Sequence, residues 1–439
     1  MNEIRKPDAT LAKLLPRVSP RPGINYVPSR FAMPFAHRGK DYVFHNLTKQ
    51  CIEGTLPPSA KAGEGFDDLI AAQFLVPEGK DECAYYNQIS TLMRAYVRKK
   101  GIVGYTILPT LGCNARCVYC YEEGMQQVTM TPETVEQVIR YIIDTHEGDK
   151  VKLSWFGGEP LLRPDIIDRV CEGLREAGLA YKSSMISNGS LITPEIIEKM
   201  TGEWKLNHIQ ISMDGAERDY IPRKRFYADH DYYHKVMGAV SLLSAAGISV
   251  TIRCNVDEDN WGGIPQYLDD LKAGVAHREK VSVYFAPLNA VRLGEGDVSM
   301  WAKIRDSRSL IEAAGFRVAP FMGLGLGFRT NHCMADGNSV VICPDGSLYP
   351  CEHCPPESRF GDIWRGTTDA AAKQAFCRVD RTREKCRECP FLPDCTSFAN
   401  CPVHDTHCRE VREMMALDAL RRMVERKESE NTDGENPIC

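Results

Sequence analysis

The chain has 439 residues, 54 Lys and Arg against 59 Asp and Glu, a net charge of -5 and 18 cysteines. That length predicts two or three domains with enough material for buried cores, and the balanced charge excludes an overall basic field for nucleic acid. No apolar run reaches the roughly 18 residues needed to span a bilayer, and residues 1–20 carry charges and prolines where a secretory signal would be apolar. The expected setting is a reducing cytoplasm, where many cysteines point to metal rather than to disulfides.

Residues 1–100 predict a small α+β module, with short strands at Ser29–Met33 and Asp41–Asn46. A Pro- and Gly-rich loop follows from Thr55 to Gly65, then helices at 66–74 and 84–99. From 101 to 326 short β-type runs alternate with longer helical ones. Strands are predicted at Tyr105–Pro109, Val151–Phe156, Ser184–Ser187, His208–Ser212, Ser249–Asn255 and Val281–Pro287. Helices are predicted at 132–146, 163–177, 194–202, 231–246, 263–273 and 299–314, with apolar residues at helical spacing, as in Val135, Val138, Ile139 and Ile142. Thr131 and Thr193 each precede Pro-Glu, a capping hydroxyl followed by a residue pre-set for the first turn. Six strands with crossover helices predict a parallel α/β domain, whose chemistry sits at the carboxyl ends of its strands. Residues 327–425 form a cysteine-rich third unit, and the polar tail at 426–439 lacks a hydrophobic pattern and is predicted to be disordered.

Cys113, Cys117 and Cys120, in Leu-Gly-Cys-Asn-Ala-Arg-Cys-Val-Tyr-Cys-Tyr, form a C-x3-C-x2-C triplet just after the first strand. A 4Fe-4S cube is usually held by four thiolates, so three clustered cysteines leave one iron open, and that iron is the expected reactive site. A structural zinc would require a fourth ligand that the triplet lacks.

This run resembles the cluster loop of radical S-adenosylmethionine (SAM) enzymes, which implies a partial (β/α)6 TIM-like barrel, a 4Fe-4S cluster on the triplet and SAM chelated to the open iron. It further implies reductive cleavage of SAM to a 5'-deoxyadenosyl radical that abstracts hydrogen from substrate. Gly157-Gly158-Glu159-Pro160 resembles the motif that binds the SAM amino group, with Glu159 accepting from the ammonium. Ser187 and Asn188 resemble the pair that meets the ribose or carboxylate; Ser212, Asp214, Arg253 and Asn255 resemble further SAM-lining positions, and Tyr119 is placed against the adenine. For these strand-end residues, ordinary hydrogen bonds or salt bridges are the competing reading.

Cys333-x12-Gly346-x4-Cys351 and Cys386-x2-Cys389-x5-Cys395 resemble the SPASM auxiliary-cluster domain, although Ala399 stands where that pattern has its next cysteine and Cys401 lies two residues later. The resemblance implies two auxiliary 4Fe-4S clusters, making three in all. One would use Cys386, Cys389, Cys395 and Cys408; the other Cys333, Cys351 and Cys401, with Cys354, Cys343 or an open iron completing it. Glu352 is either an exposed loop residue or a carboxylate that takes up a substrate proton. Cys51, Cys83, Cys171, Cys254 and Cys377 read as small buried hydrophobes.

The layout resembles maturases of ribosomally made peptides. It implies a precursor-peptide substrate, a thioether or carbon-carbon cross-link, a flavodoxin- or ferredoxin-like electron donor, and a winged-helix-like leader-recognition role for residues 1–100, where Lys40-Asp-Tyr-Val-Phe-His-Asn-Leu-Thr carries the likeness. The alternatives are an anaerobic sulfatase-maturing enzyme that makes formylglycine and a non-enzymatic iron-sulfur electron carrier.

Overall fold

The structure is a computed structural model and describes residues 2–15, 17–97, 101–228, 231–288, 298–319, 327–328, 337–353, 355–377, 387–395 and 408–434, the side chains of 97, 377, 408–409 and 429–434 excepted. Two compact units emerge, one drawn from Met1–Arg98, Met322–Cys333 and Val379–Cys439, the other from Lys99–Phe321 and Met334–Arg378.

The second unit is the barrel. It runs β1 (Gly104–Ile107), α1 (Pro132–Thr145), β2 (Val151–Trp155), α2 (Pro164–Glu176), β3 (Tyr181–Ser187), α3 (Pro194–Thr201), β4 (Leu206–Ser212), α4 (Glu217–Lys224), α5 (Tyr232–Ala245), β5 (Ser249–Val256), α6 (Ile264–Gly274) and β6 (Val281–Pro287). The six strands pair in chain order, all parallel. Thr131 and Thr193 cap α1 and α3 as the sequence predicts, accepting from the N–H groups of Thr134 and Ile196. The predicted helix at 299–314 is two helices, Val298–Asp306 and Arg308–Ala313, and α4 has no counterpart among the predicted elements.

The strands alternate in character because successive side chains face opposite sides. Ile209, Ile211, Val250 and Ile252 are fully buried, whereas His208, Gln210, Ser212, Thr251 and Arg253 on the other face are half-buried and polar. Among the described residues the sheet does not close on itself. After β7 (Arg317–Val318), which extends β6, come β8 (Ser339–Ile342), β9 (Ser347–Tyr349), β10 (Gly361–Asp362) and β11 (Gly366–Thr367). Strand β8 pairs in parallel with β1, and β9–β11 continue from it antiparallel. A free β1 edge offers unpaired N–H and C=O groups, and the apolar Val340, Val341 and Ile342 satisfy them while becoming fully buried.

This pairing corrects the predicted boundary at 326/327. Residues 334–378 belong with the barrel, while 379–439 belong with the N-terminal module. In that first unit the strands Asn2–Arg5, Gln50–Glu53, Lys40–His45 and Ala32–His37 form an antiparallel sheet in that order, beside a small sheet of Ala60–Lys61, Asn25–Pro28 and Leu75–Pro77. The predicted helix at 66–74 ends at Ala71 and gives way to the Leu75–Pro77 strand; the predicted 84–99 helix spans Glu82–Val97.

Against the four-stranded sheet lies the C-terminal helix Cys408–Gly434, which buries Ala416, Leu420 and Val424 on Met33, Phe35, Tyr42 and Phe44. The helix therefore continues through 426–434, where disorder was expected. Its hydrophobic pattern stops at Val424, but Arg38 holds Glu425 and Glu428 at 3.6 and 3.1 Å. None of the described helices is long and apolar enough to cross a membrane.

Leu420 is 0% exposed at the centre of this packing. Leu420→Ala is expected to cost about 2–5 kcal/mol, read as a lower denaturant midpoint. Leu242→Ala, at a side chain 45% exposed, should stay within about 0.5 kcal/mol of wild type.

Candidate functional site

The three cysteines leave β1 in a loop that is fixed from two sides by backbone. On one side the Gly157-Gly158 turn after β2 lies so close that a Cβ on Gly157 would meet the Thr110 carbonyl oxygen at 2.3 Å, and one on Gly158 would meet the Gly112 oxygen at 2.3 Å. Gly157 also has φ +110°, open to glycine at no steric cost. In this contact the Gly158 N–H donates to Thr110 O at 3.2 Å and the Glu159 N–H to Gly112 O at 2.9 Å. On the other side, the N–H of Arg116 donates to Lys224 O and Arg225 O, and that of Val118 to Arg223 O, all within 3.0–3.1 Å. These are carbonyls left open at the end of α4, which has no further turn to use them.

Glu159 is wholly buried and its carboxylate is already engaged. It accepts from Ser187 Oγ at 2.9 Å, from the Asn188 N–H at 2.7 Å and from the Leu161 N–H at 3.1 Å. Burial pushes its pKa from the ordinary 4.5 to about 7, against the lowering effect of those hydrogen bonds. Asn188 in turn gives its amide to Asn114 Oδ1 at 2.8 Å and lies 3.9 Å from Cys113 Sγ. Glu159, Ser187 and Asn188 thus come together as a brace between the ends of β2 and β3 and the cysteine loop.

A second cluster forms at the ends of β4 and β5. Asp214 is fully buried; its Oδ1 accepts from the N–H and the side-chain amide of Asn255, both at 2.9 Å. Its Oδ2 accepts from the Tyr119 hydroxyl and pairs with Lys224 Nζ at 3.1 Å, while Lys224 also donates to Tyr119 Oη at 3.0 Å. Burial alone would lower the Lys224 ammonium, but Asp214 with Tyr119, Cys117 and Tyr220 holds it well above its ordinary range. Tyr119, expected against an adenine, has its hydroxyl committed to this pair. Arg253 Nε donates to Asn255 Oδ1 at 2.9 Å, and Ser212 sits opposite Arg253 in the β4–β5 register.

Two residues of the site carry no signal in the sequence. Lys224 ends a run, Glu217–Lys224, in which five of eight residues are charged and Pro222 interrupts the helical pattern, so no periodicity marks which cation turns inward. Asn114 is a polar loop residue of ordinary type, and only its contact with Asn188 sets it apart.

The thiols suit a metal cluster. Burial raises the pKa of Cys113, Cys117 and Cys120, that of Cys113 to about 12, so the thiolates need a cation to form at neutral pH. Among the described residues the His, Cys, Asp and Glu ligand atoms gathered within 4.8 Å are those of exposed Glu217, Asp231 and His234.

Of the other cysteines, Cys343 and Cys351 belong to the barrel unit. Cys343 opens the turn into β9, its carbonyl accepting from the Gly346 N–H at 2.9 Å, and the His353 N–H donates to Cys351 Sγ at 3.5 Å. Glu352, between Cys351 and His353, is half-buried, with Oε2 sealed from solvent and lacking a hydrogen-bond partner among the described residues. Tyr121, next to Cys120, packs on the His353 ring at 4.5 Å between centroids. Cys389 and Cys395 belong to the other unit. Cys333, Cys354, Cys386 and Cys401 lie outside the described residues, as does the side chain of Cys408.

Residues 107–271 match the Radical SAM superfamily. The chain is 23% identical over 321 residues to the AdoMet-dependent heme synthase of Methanosarcina barkeri, covering 65% of this chain and 88% of that one. It is 23% identical over 353 residues to the serine-type anaerobic sulfatase-maturating enzyme of Bacteroides thetaiotaomicron, with 68% and 82% covered, and 22% identical over 316 residues to the PqqA peptide cyclase of Granulibacter bethesdensis, with 65% and 80% covered. The structure of anSMEcpe with bound AdoMet superposes with a TM-score of 0.60 at 18% identity, covering 75% of this chain and 96% of that one. The barrel is a radical SAM domain, and the chain is an enzyme rather than a passive electron carrier.

Gly158→Ala should push the cysteine loop off the β2 turn and cost the reconstituted protein about four irons. Gly238→Ala, within α5, where an added methyl group would meet nothing within 4 Å, should cost none. Because the Glu159 pKa is raised in the fold, the native state keeps an extra proton between about 4.5 and 7, and stability falls as pH rises through that window. Glu159→Gln should flatten that fall in the denaturant midpoint of the cluster-free protein; an unchanged slope would show that Glu159 does not titrate there.

Proposed function

We propose that this radical SAM enzyme is a peptide maturase that installs a thioether or carbon-carbon cross-link in a ribosomally made precursor peptide. The observation that carries the proposal is the cysteine loop clamped between the Gly157-Gly158 turn and α4, beside a carboxylate, Glu352, that keeps one sealed oxygen without a partner among the described residues. The names of two relatives, a peptide cyclase and a sulfatase-maturating enzyme, support a polypeptide substrate.

In this reading Cys113, Cys117 and Cys120 hold the SAM-binding 4Fe-4S cluster. When bound, cluster and SAM supply a 5'-deoxyadenosyl radical for hydrogen abstraction. Asp214, Asn255 and Lys224 keep Tyr119 and the loop in place. Arg253 and Ser212 face the half-buried polar side of the strands, where substrate and SAM would be bound. Glu352 accepts the proton released as the new bond forms. Cys386, Cys389, Cys395 and Cys408 hold one auxiliary cluster, and Cys333, Cys351 and Cys401, with Cys354 or Cys343, the other. These thiolates give the chain an acceptor for the electron left over at bond closure. Residues 1–100 contribute to peptide recognition, a flavodoxin or ferredoxin supplies the first electron, and the enzyme works in the cytoplasm.

Formylglycine formation is the second reading, favoured by the sulfatase-maturating relative. Both are tested by anaerobic incubation with SAM, dithionite and peptides encoded beside the gene, followed by mass spectrometry. The triplet replaced by alanines should give no 5'-deoxyadenosine. Cys389→Ala should still cleave SAM yet yield no cross-link, and Glu352→Gln should slow product formation by about 10²-fold or more while SAM cleavage persists. A formylglycine product would select the second reading. If 5'-deoxyadenosine forms and no peptide changes mass, a polypeptide substrate is ruled out.

A further inference from the structure

The polar face of the barrel strands can be followed row by row, because residues paired directly in a parallel sheet point to the same side. One row runs Thr106, Ser154, Ser184, His208; the next joins Gln210, Thr251 and Ser282; the row nearest the carboxyl ends joins Ser212, Arg253 and Tyr284. His208, Gln210 and Ser212 alternate along β4, so the rows belong to one face. All of these side chains are half-buried. Among the described strand residues on this face none is Asp or Glu. His208 bonds Thr251 Oγ1 at 3.0 Å and burial lowers its pKa, so it is neutral at neutral pH. Lys152, Lys182 and Arg317 on the same face are exposed, which leaves Arg253 as its half-buried fixed charge.

Arg253 is held from two sides by neutral groups. Its Nε donates to Asn255 Oδ1 at 2.9 Å, and Asn255 is itself fixed on Asp214. Tyr284 hydrogen-bonds Arg253 and gives its hydroxyl to Gln210 Oε1 at 2.9 Å. Among the described residues Arg253 pairs with no carboxylate. Asp214 is committed to Lys224 and Asn255, and Glu352 keeps Oε2 without a partner. A guanidinium is a rigid planar fork of five donors that matches a carboxylate, and here it is positioned before any carboxylate arrives. Burial lowers the pKa of His353, Glu352 opposes this and Arg253 reinforces it, so the three side chains share one part of the site.

We propose that Arg253 is a specificity residue that receives a carboxylate of the peptide substrate, an Asp or Glu side chain in the segment that enters the barrel. The inference rests on the reading that the substrate is a peptide, and deepens it by naming the chemistry of that segment. SAM also carries a carboxylate and is the rival ligand; the place of Arg253 beside His353 and Glu352, on the side given to the substrate's proton, favours the peptide.

The test is a double-mutant cycle with the anaerobically reconstituted full chain and the peptides encoded beside its gene, in which each Asp and Glu is replaced in turn by Asn or Gln. Mass spectrometry gives kcat/KM for the modified peptide, and equilibrium dialysis gives the SAM affinity. With wild type, one replacement should lower kcat/KM about 10- to 10²-fold. Arg253→Met should lower it as much on the unaltered peptide, and the two changes together should cost no more than either alone. Arg253→Lys, which keeps the charge without the fork, should fall between. Losses that multiply independently, or a fall in SAM affinity that accounts for the whole Arg253→Met defect, would overturn the inference. Wild type indifferent to every replacement would overturn it even if Arg253→Met does not fold, while leaving the peptide substrate in place. No modified peptide at all would remove that reading and the inference with it.

Discussion

The carbonyl oxygens of Thr110 and Gly112 lie so near the chain at Gly157 and Gly158 that any side chain there would collide with them. From this contact the remaining geometry of the site follows. It fixes the height of the cysteine loop above β2, and it turns Glu159 toward the end of β3, where Ser187 and Asn188 meet it. Asn188 then reaches back to Asn114 within the loop. With the opposite flank bound by the last carbonyls of α4, the loop is held by main chain on both sides, and its thiols are spared that task.

Such a site concentrates groups that a fold otherwise keeps outside. Glu159, Asp214 and Lys224 are all buried, and each would be costly alone. The structure offsets the cost by complete pairing: backbone donors for Glu159, and for Asp214 the two Asn255 donors together with Lys224 and Tyr119. Removing one member leaves its partner buried and unpaired, so these clusters hold the cysteine loop stiffly. The stabilising burial comes from the other face of the same strands, through Ile209, Ile211, Val250 and Ile252.

Much of this is legible in the order of residues alone. The six barrel strands and the helices between them follow from periodicity, and the Thr-Pro-Glu caps at 131 and 193 mark helix starts that the structure keeps. Glu159, Ser187, Asn188, Asp214 and Asn255 stand out in the sequence at strand ends, yet their partners in the fold do not. The sequence places Glu159 toward a ligand ammonium, whereas in the fold three donors from the protein already occupy it. Lys224 looks like a surface lysine until α4 is folded against the cysteine loop.

The parallel βα repeat, the three-cysteine loop and its place after the first strand are written in the local sequence, because they depend on neighbours a few residues apart, where hydrophobic period, capping and spacing act directly. It took the folded chain to bring β8 to the edge of β1, to join the two chain ends in one core, and to select which cations are buried. Those outcomes depend on partners far apart in the chain: Val340 and Tyr105 in one sheet, Leu420 on Phe44 in the other unit, and Lys224 on Asp214 and Tyr119. At such separations no local pattern records a contact; only the competition for burial and for hydrogen bonds in the folded chain selects it.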